Sequence, residues 1–319
     1  MKKCVGLPLI ALLIASFSAA TLADNPVAIA IHAGAGTIKR EDLSAEKETE
    51  IRARLEEAVR AGHEILQNGG SGLDAVTKAV TILEDAPFFN AGRGAVFNAD
   101  GENELDASIM DGNTLNAGAV AGVHNVRNPV LLARKVMTES VHVMLIGEGA
   151  EAFAREQGIA FEDDAWFHTD YRWEQLQKAR AKAKETADSA GAPDTWLSTV
   201  GGVALDKEGN LAAATSTGGM TNKRWGRVGD VPVIGAGTYA DNESCAVSAT
   251  GHGEYFIRAT VARDICARVQ YTGASLQEAA DQVVLQKLVK MGGSGGIISL
   301  DPQGNVSLTF NTPGMYRAS

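Results

Sequence analysis

Ser198-Thr199-Val200-Gly201-Gly202-Val203-Ala204-Leu205-Asp206-Lys207-Glu208-Gly209-Asn210-Leu211-Ala212-Ala213-Ala214-Thr215-Ser216-Thr217-Gly218-Gly219 reads as a β-hairpin. Val200, Val203 and Leu205 form one apolar arm, Asp206 to Asn210 a glycine-containing turn, and Leu211 to Thr215 the returning arm. Apolar residues at nearly every position are expected of strands covered on both faces. Antiparallel pairing would bring the hydroxyls of Thr199, at the head of the first arm, and Thr217, just beyond the second, close together. By themselves, two threonines there are ordinary strand residues.

Further motifs lie downstream: Arg227-Val228-Gly229-Asp230, then Ser248-Ala249-Thr250-Gly251-His252-Gly253-Glu254. With Thr199-Val200-Gly201 and Thr215 to Lys223, they resemble the isoaspartyl peptidase / plant-type L-asparaginase family of N-terminal-nucleophile hydrolases, from Ile31 to Arg317. The resemblance implies a four-layer αββα sandwich of α/β class. It also implies self-cleavage before Thr199, giving an α subunit (24–198) and a β subunit (199–319) that fold as one domain and assemble as (αβ)2.

A threonine hydroxyl is a poor nucleophile without an adjacent base. At a new chain terminus its own α-amine, with a pKa of about 8, can serve. By resemblance Thr199 is that nucleophile and Thr217 positions it. Arg227 binds the substrate α-carboxylate through its planar fork of donors, and Asp230, with backbone from Gly253, holds the α-ammonium. Thr250 and Gly251 form the oxyanion hole, with Gly251 also counted in substrate binding. Taken alone, Arg227 and Asp230 would read as an exposed ion pair. The implied reaction is hydrolysis of the side-chain amide of L-asparagine or of β-aspartyl dipeptides through a β-aspartyl ester. Gly218 to Lys223 favours the plant-type branch over a glycosylasparaginase-like amidase. The reading from another class is an exported binding protein that never cleaves itself. Family members usually carry glycine before the nucleophile. Ser198 stands there instead, which predicts slow or incomplete maturation, because a Cβ restricts strained backbone.

Upstream, Val27 to His32 is an apolar strand running into His32-Ala33-Gly34-Ala35-Gly36; Lys39 occupies the third-glycine position of a dinucleotide motif, so this is read as a glycine turn. Ser44 and Ser71 cap two amphipathic helices. In Leu83 to Gly94, the resemblance implies a structural sodium ion held by carbonyls of Leu83, Glu84, Ala86, Phe89, Ala91 and Arg93, with no cofactor for catalysis. Leu105 to Gly112 and Ala117 to Val123 read as two buried strands, with Asp106 buried against backbone amides and Asp111 in the turn. Asn128-Pro129 starts a helix, and His142 to Ile146 is a further strand. Gln175 to Thr186 is a solvated helix, followed by a small-residue linker ending near Thr199. Val233 to Ala236 and Ser244 to Ser248 are strand candidates, Glu254 to Val269 one amphipathic helix, and Ser275 caps a last helix to Met291. Ile297 to Leu300 and Val306 to Phe310 complete the strands.

The 319 residues carry a net charge of −10 and 45% hydrophobic residues. That allows a large core and disfavours nucleic acid and anionic membranes as partners; a small-molecule substrate is what the resemblance implies. Residues 1–23 have Lys2 and Lys3 before a short apolar run and end Thr21-Leu22-Ala23. This is the pattern of a secretory signal peptide, implying periplasmic export. Cys4 would leave with it. Cys245 and Cys266 remain, and the apolar helical setting of Cys266 favours a buried free thiol. The six histidines show no metal-ligand spacing.

Overall fold

The computed structural model describes Met1 and residues 26–36, 43–185 and 199–319. The rest of the expected signal peptide (2–23), the linker around Asp188 to Asp194 and Ser198 lie outside the described residues. In chain order the main elements are β1 (Ala28–Gly36), α1 (Ala45–Gln67), α2 (Gly72–Glu84), β2 (Leu105–Asp111), β3 (Ala117–Val123), α3 (Pro129–Glu139), β4 (Met144–Ile146), α4 (Gly147–Glu156), α5 (Asp164–Phe167) and α6 (Asp170–Glu185). After the linker come β5 (Val200–Leu205), β6 (Leu211–Thr217), β7 (Thr238–Ala240), β8 (Ala246–Gly251), α7 (Gly253–Ala259), α8 (Val261–Thr272), α9 (Leu276–Asp281), a π-helical turn (Gln282–Lys287) and α10 (Leu288–Met291). The chain closes with β9 (Gly295–Leu300), β10 (Val306–Ser307) and β11 (Gly314–Ala318).

Two sheets form, one of seven strands in the order β11-β1-β5-β6-β2-β3-β4 and one of four in the order β10-β9-β8-β7. Between them Val203, Leu205, Leu211, Ala213, Ala246, Ile298 and Leu300 make an apolar layer. Helices α1 to α4 bury Leu55, Val76, Val80, Leu132 and Ala150 against the outer face of the larger sheet. Helices α8 to α10 cover the smaller one with Ile265, Val283 and Leu288. The result is the αββα sandwich, four layers with three apolar interfaces. The hairpin sits at its centre: every residue of β5 and β6 is buried, in the register Val200↔Ser216 to Leu205↔Leu211.

The two serine caps form, Ser44 accepting from Lys47 N–H and Ser71 from Asp74 N–H. Several expectations differ. His32 to Gly36 is not a turn but the second half of β1, which pairs with β11, itself unanticipated, across an irregularity between His32 and Ala35. Val233 to Ala236 is not a strand: Val233 and Gly237 N–H both bond the Asp230 carbonyl, winding the segment into turns, and β7 begins at Thr238. The helix expected from Glu254 to Val269 breaks at Thr260 (φ 48°), where the amides of Ala262 and Arg263 instead satisfy the carbonyls of Ala236 and Gly235. Finally, Cys266 is not a free thiol; it forms a disulfide with Cys245, tying α8 to the residue preceding β8. Cys245 and Cys266 are far apart in sequence, so only the packing of α8 on its sheet brings them together.

Candidate active site

The hairpin register puts Thr199 opposite Thr217, and the Thr199 hydroxyl donates to Thr217 Oγ1 at 3.1 Å. Both residues are buried. Thr217 Oγ1 also accepts from Gly219 N–H at 3.0 Å, which curls the chain beyond β6 back onto the threonine pair.

That curl leads to the charged groups. A Cβ on Gly219 would lie 3.5 Å from Arg227 Nη1, one on Gly229 2.7 Å from the same atom, and one on Gly253 2.8 Å from both Arg227 Nη2 and Asp230 Oδ1. Three glycines therefore surround the guanidinium and leave its end-on edge open. The other edge is taken, since Nε and Nη2 donate to Glu254 at 2.9 and 3.0 Å. The ion-pair partner of Arg227 is thus Glu254, not Asp230, and His252 Nε2 lies 3.3 Å from the same carboxylate. Burial alone would raise the Glu254 pKa, but the Arg227 hydrogen bonds and charge bring it below the ordinary value.

Asp230 is buried, and its Oδ2 has no hydrogen-bond partner among the described residues. Burial pushes its carboxyl up to about 7, against a hydrogen bond from its own backbone and the Arg227 charge. An orphaned carboxylate oxygen beside an open guanidinium edge suits a zwitterion, the ammonium on one and the carboxylate on the other.

Thr250, at the end of β8, is fully buried and its Oγ1 accepts from Ala35 N–H at 3.2 Å, leaving the hydroxyl proton to donate elsewhere. Gly251 presses on β9, where a Cβ would come 2.6 Å from the Ser294 carbonyl oxygen. The structure thus links Thr199, Thr217, Gly219, Arg227, Asp230 and Gly253 in one run of contacts, with Thr250 joined to β1 through Ala35.

Asp106 pairs with Thr217 in the β2–β6 register. It meets one backbone amide, Gly122 N–H at 2.9 Å, and Oδ2 lacks a partner among the described residues. Burial raises its pKa, while Lys223 and Arg227 pull it down. Asp111 is not in the turn itself but is the last residue of β2, and its side chain accepts from Asn113 N–H in the turn that follows.

Sequence reasoning missed Glu254 as the partner of Arg227, and Asn90, which is fully buried. Asn90 donates to the Gly219 carbonyl at 2.8 Å and accepts from Val96 N–H at 2.9 Å, bracing the curl after Thr217. Neither has a local signature, because each acts across a long sequence separation.

In the 83–94 loop, a Cβ on Gly92 would lie 2.6 Å from the Glu84 carbonyl oxygen, and one on Gly94 would strike that of Phe89 and lie 2.8 Å from that of Pro87. The carbonyl oxygens of Glu84, Pro87 and Phe89 thus lie close to these two glycines, and backbone oxygens are the donor type that a hard cation takes. Glu84 is wholly buried and its Oε1 accepts from Val130 N–H at 3.0 Å, capping α3 in place of Asn128, whose side chain makes no cap. Arg172, also buried, donates to the carbonyls of Gly94 at 2.8 Å and Phe88 at 3.3 Å.

Two facing sheets between helices, with a threonine heading a central strand, are the architecture of the N-terminal-nucleophile hydrolases. Within that class the chain belongs to the family described as Asparaginase, which matches residues 25–319. It is 56% identical over 297 residues to an isoaspartyl peptidase of Salmonella typhimurium, covering 92% of this chain and 95% of that protein. The isoaspartyl peptidase of Escherichia coli is 56% identical over 293 residues, covering 91% of each. An isoaspartyl peptidase/L-asparaginase of Danio rerio is 42% identical over 287 residues, covering 89% of each.

Proposed function

We propose that this chain is a self-processing threonine hydrolase that cleaves the side-chain amide of L-asparagine and of β-aspartyl dipeptides. The observation that carries the reading is the Thr199–Thr217 hydroxyl pair, next to an open guanidinium edge and an unpartnered buried carboxylate. The relatives named above support the substrate class.

Maturation begins when the Thr199 hydroxyl attacks the Ser198 carbonyl; an ester replaces the peptide bond, and water releases Ser198 as a new C-terminus. The freed α-amine then takes the hydroxyl proton as Thr199 Oγ1 attacks the substrate amide carbon. The Thr250 hydroxyl and the Gly251 N–H receive the developing oxyanion, while Arg227 and Asp230, with Gly253, grip the amino-acid end. The α-ammonium returns the proton to the leaving amine, and water hydrolyses the β-aspartyl ester to aspartate and free Thr199. Thr217 holds the nucleophile throughout.

The same proposal includes periplasmic export after removal of residues 1–23, assembly as (αβ)2, and a sodium ion held by the carbonyls of Leu83, Glu84, Ala86, Phe89, Ala91 and Arg93. A disulfide supports export, since such bonds persist in oxidising compartments. The loop carbonyls support the ion.

Denaturing gels and intact mass of the parent and of Thr199→Ala test the core reading, with release of ammonia from asparagine and of leucine from β-aspartyl-leucine. The parent should split into two chains and turn over substrate. Thr199→Ala should remain one folded, inactive chain. A processed or active Thr199→Ala protein would sink the assignment.

A further inference from the structure

The apolar layer between the two sheets is crossed by one line of polar side chains that the reaction above does not use. The Ser108 hydroxyl on β2 shares its one proton between the Val231 carbonyl at 2.6 Å and Thr238 Oγ1 on β7 at 2.7 Å. Thr238 donates to Thr215 Oγ1 on β6 at 2.6 Å, Thr215 lies 2.7 Å from Ser248 Oγ on β8, and Ser248 lies 2.9 Å from Nε2 of His32 on β1. All five side chains are fully buried. The line passes directly under Gly201, two residues from Thr199. A Cβ there would strike Ser248 Oγ and come 2.7 Å from His32 Nε2.

Each hydroxyl has one proton, so the donors settle one another. Thr238 spends its proton on Thr215. The other acceptor within reach of Thr215 is the Gly237 carbonyl at 3.4 Å, too long to compete with Ser248 at 2.7 Å. Ser248, having accepted, gives its proton to His32 Nε2. The ring proton then resides on Nδ1, which has no partner at hydrogen-bonding distance among the described side chains and backbone. Burial drives the ring pKa down to about 3, with only an interaction with the Thr199 backbone opposing it. The imidazole is therefore neutral near pH 7.

We propose that His32, Ser248, Thr215, Thr238 and Ser108 form a positioning relay. It locks His32 as the Nδ1–H tautomer beneath the Thr199 backbone and joins that strand head to the turn at Val231, the residue after Asp230. None of the five touches substrate. The relay fixes the separation between the nucleophile and the ammonium anchor, a quantity on which rate depends steeply, since a misplacement of about 1 Å can cost on the order of 100-fold. This rests on the assignment of Thr199 and Asp230 made above.

Thr215→Val removes one hydroxyl at almost constant shape, and Thr215→Ser keeps it. With mature, processed protein, kcat and KM for β-aspartyl-leucine are measured together with the 15N chemical shifts of the His32 ring. Thr215→Val should lose tenfold or more in kcat with KM within threefold, and its ring should become a mixture of tautomers. Thr215→Ser should restore kcat to within threefold and return the Nδ1–H form. An unchanged kcat or an unchanged tautomer in Thr215→Val overturns the relay, and so does failure of Thr215→Ser to rescue. If Thr215→Val does not fold or process, Ser248→Ala, which deletes the hydroxyl touching His32, is read by the same two signals. An active Thr199→Ala would instead refute the nucleophile while leaving the tautomer measurement intact, so the two failures are distinguishable.

Discussion

At the residue scale, the site is governed by what remains unpaired once the protein has made its own contacts. Asp230 keeps one buried oxygen without a partner, and its carboxyl is pushed up to about 7 by burial. Below that pH the free enzyme holds a neutral acid that cannot attract an ammonium group. The profile of kcat/KM should therefore rise through about pH 7. In the bound complex the substrate ammonium keeps Asp230 ionised, so kcat should lack this step and show only the titration of the Thr199 α-amine, near 8. Parallel profiles for kcat and kcat/KM between pH 6 and 8 would remove Asp230 from the role. Glu254 occupies the Nε/Nη2 edge of Arg227 and leaves the end-on edge toward Gly219 and Gly229. It orients the guanidinium and does not block it. Glu254→Gln should process normally and raise KM about three- to tenfold, the loss of about 1 kcal/mol of charge-assisted orientation. A lower KM would show Glu254 to be a competitor for the substrate carboxylate.

At the element scale, the 83–94 loop and α6 are held together by a single buried cation. Arg172 donates to two loop carbonyls and to Gln175 Oε1 at 3.0 Å. Burial lowers its pKa to about 10, so it stays charged near neutrality. Two effects compete when it is replaced by leucine: relief of a desolvated charge, and loss of donors to three acceptors. The two loop carbonyls are fixed in a tight loop and cannot turn to water, so the second should win. Arg172→Leu should lose about 1–3 kcal/mol in urea unfolding, with Thr199 cleavage intact. Stability equal to the parent's would mean that the loop does not depend on Arg172.

At the scale of the whole molecule, the two sheets are joined through their apolar layer, the relay beneath Gly201 and the Ala35–Thr250 bond, while the Cys245–Cys266 bridge ties the smaller sheet to its helical cover. The bridge spans 21 residues, and restricting a loop of that size in the unfolded chain stabilises by about 3 kcal/mol. Reduction should lower the melting midpoint by about 5 °C without abolishing activity, because neither cysteine reaches the site. Identical melting of reduced and oxidised protein would show that the bridge does not contribute to the stability of the fold.

Local chemistry was enough for much of this protein. The hairpin is set by two apolar arms around Asp206 to Asn210, the starts of α1 and α2 by Ser44 and Ser71, and the opposition of Thr199 and Thr217 by strand pairing alone. These features depend on neighbours in sequence, where periodicity and capping leave their mark. What depends on distant partners left no such mark. Val233 to Ala236 has strand-like residues, yet hydrogen bonds to the Asp230 carbonyl wind it into turns. The helix from Glu254 breaks at Thr260 because the carbonyls of Gly235 and Ala236 claim its amides. Glu84 caps α3 through the amide of Val130, 46 positions later, and Cys266 meets Cys245 only after α8 packs. The proton order from Ser108 to His32 likewise exists only when five strands from two sheets meet, since a hydroxyl becomes donor or acceptor according to the neighbours that folding supplies.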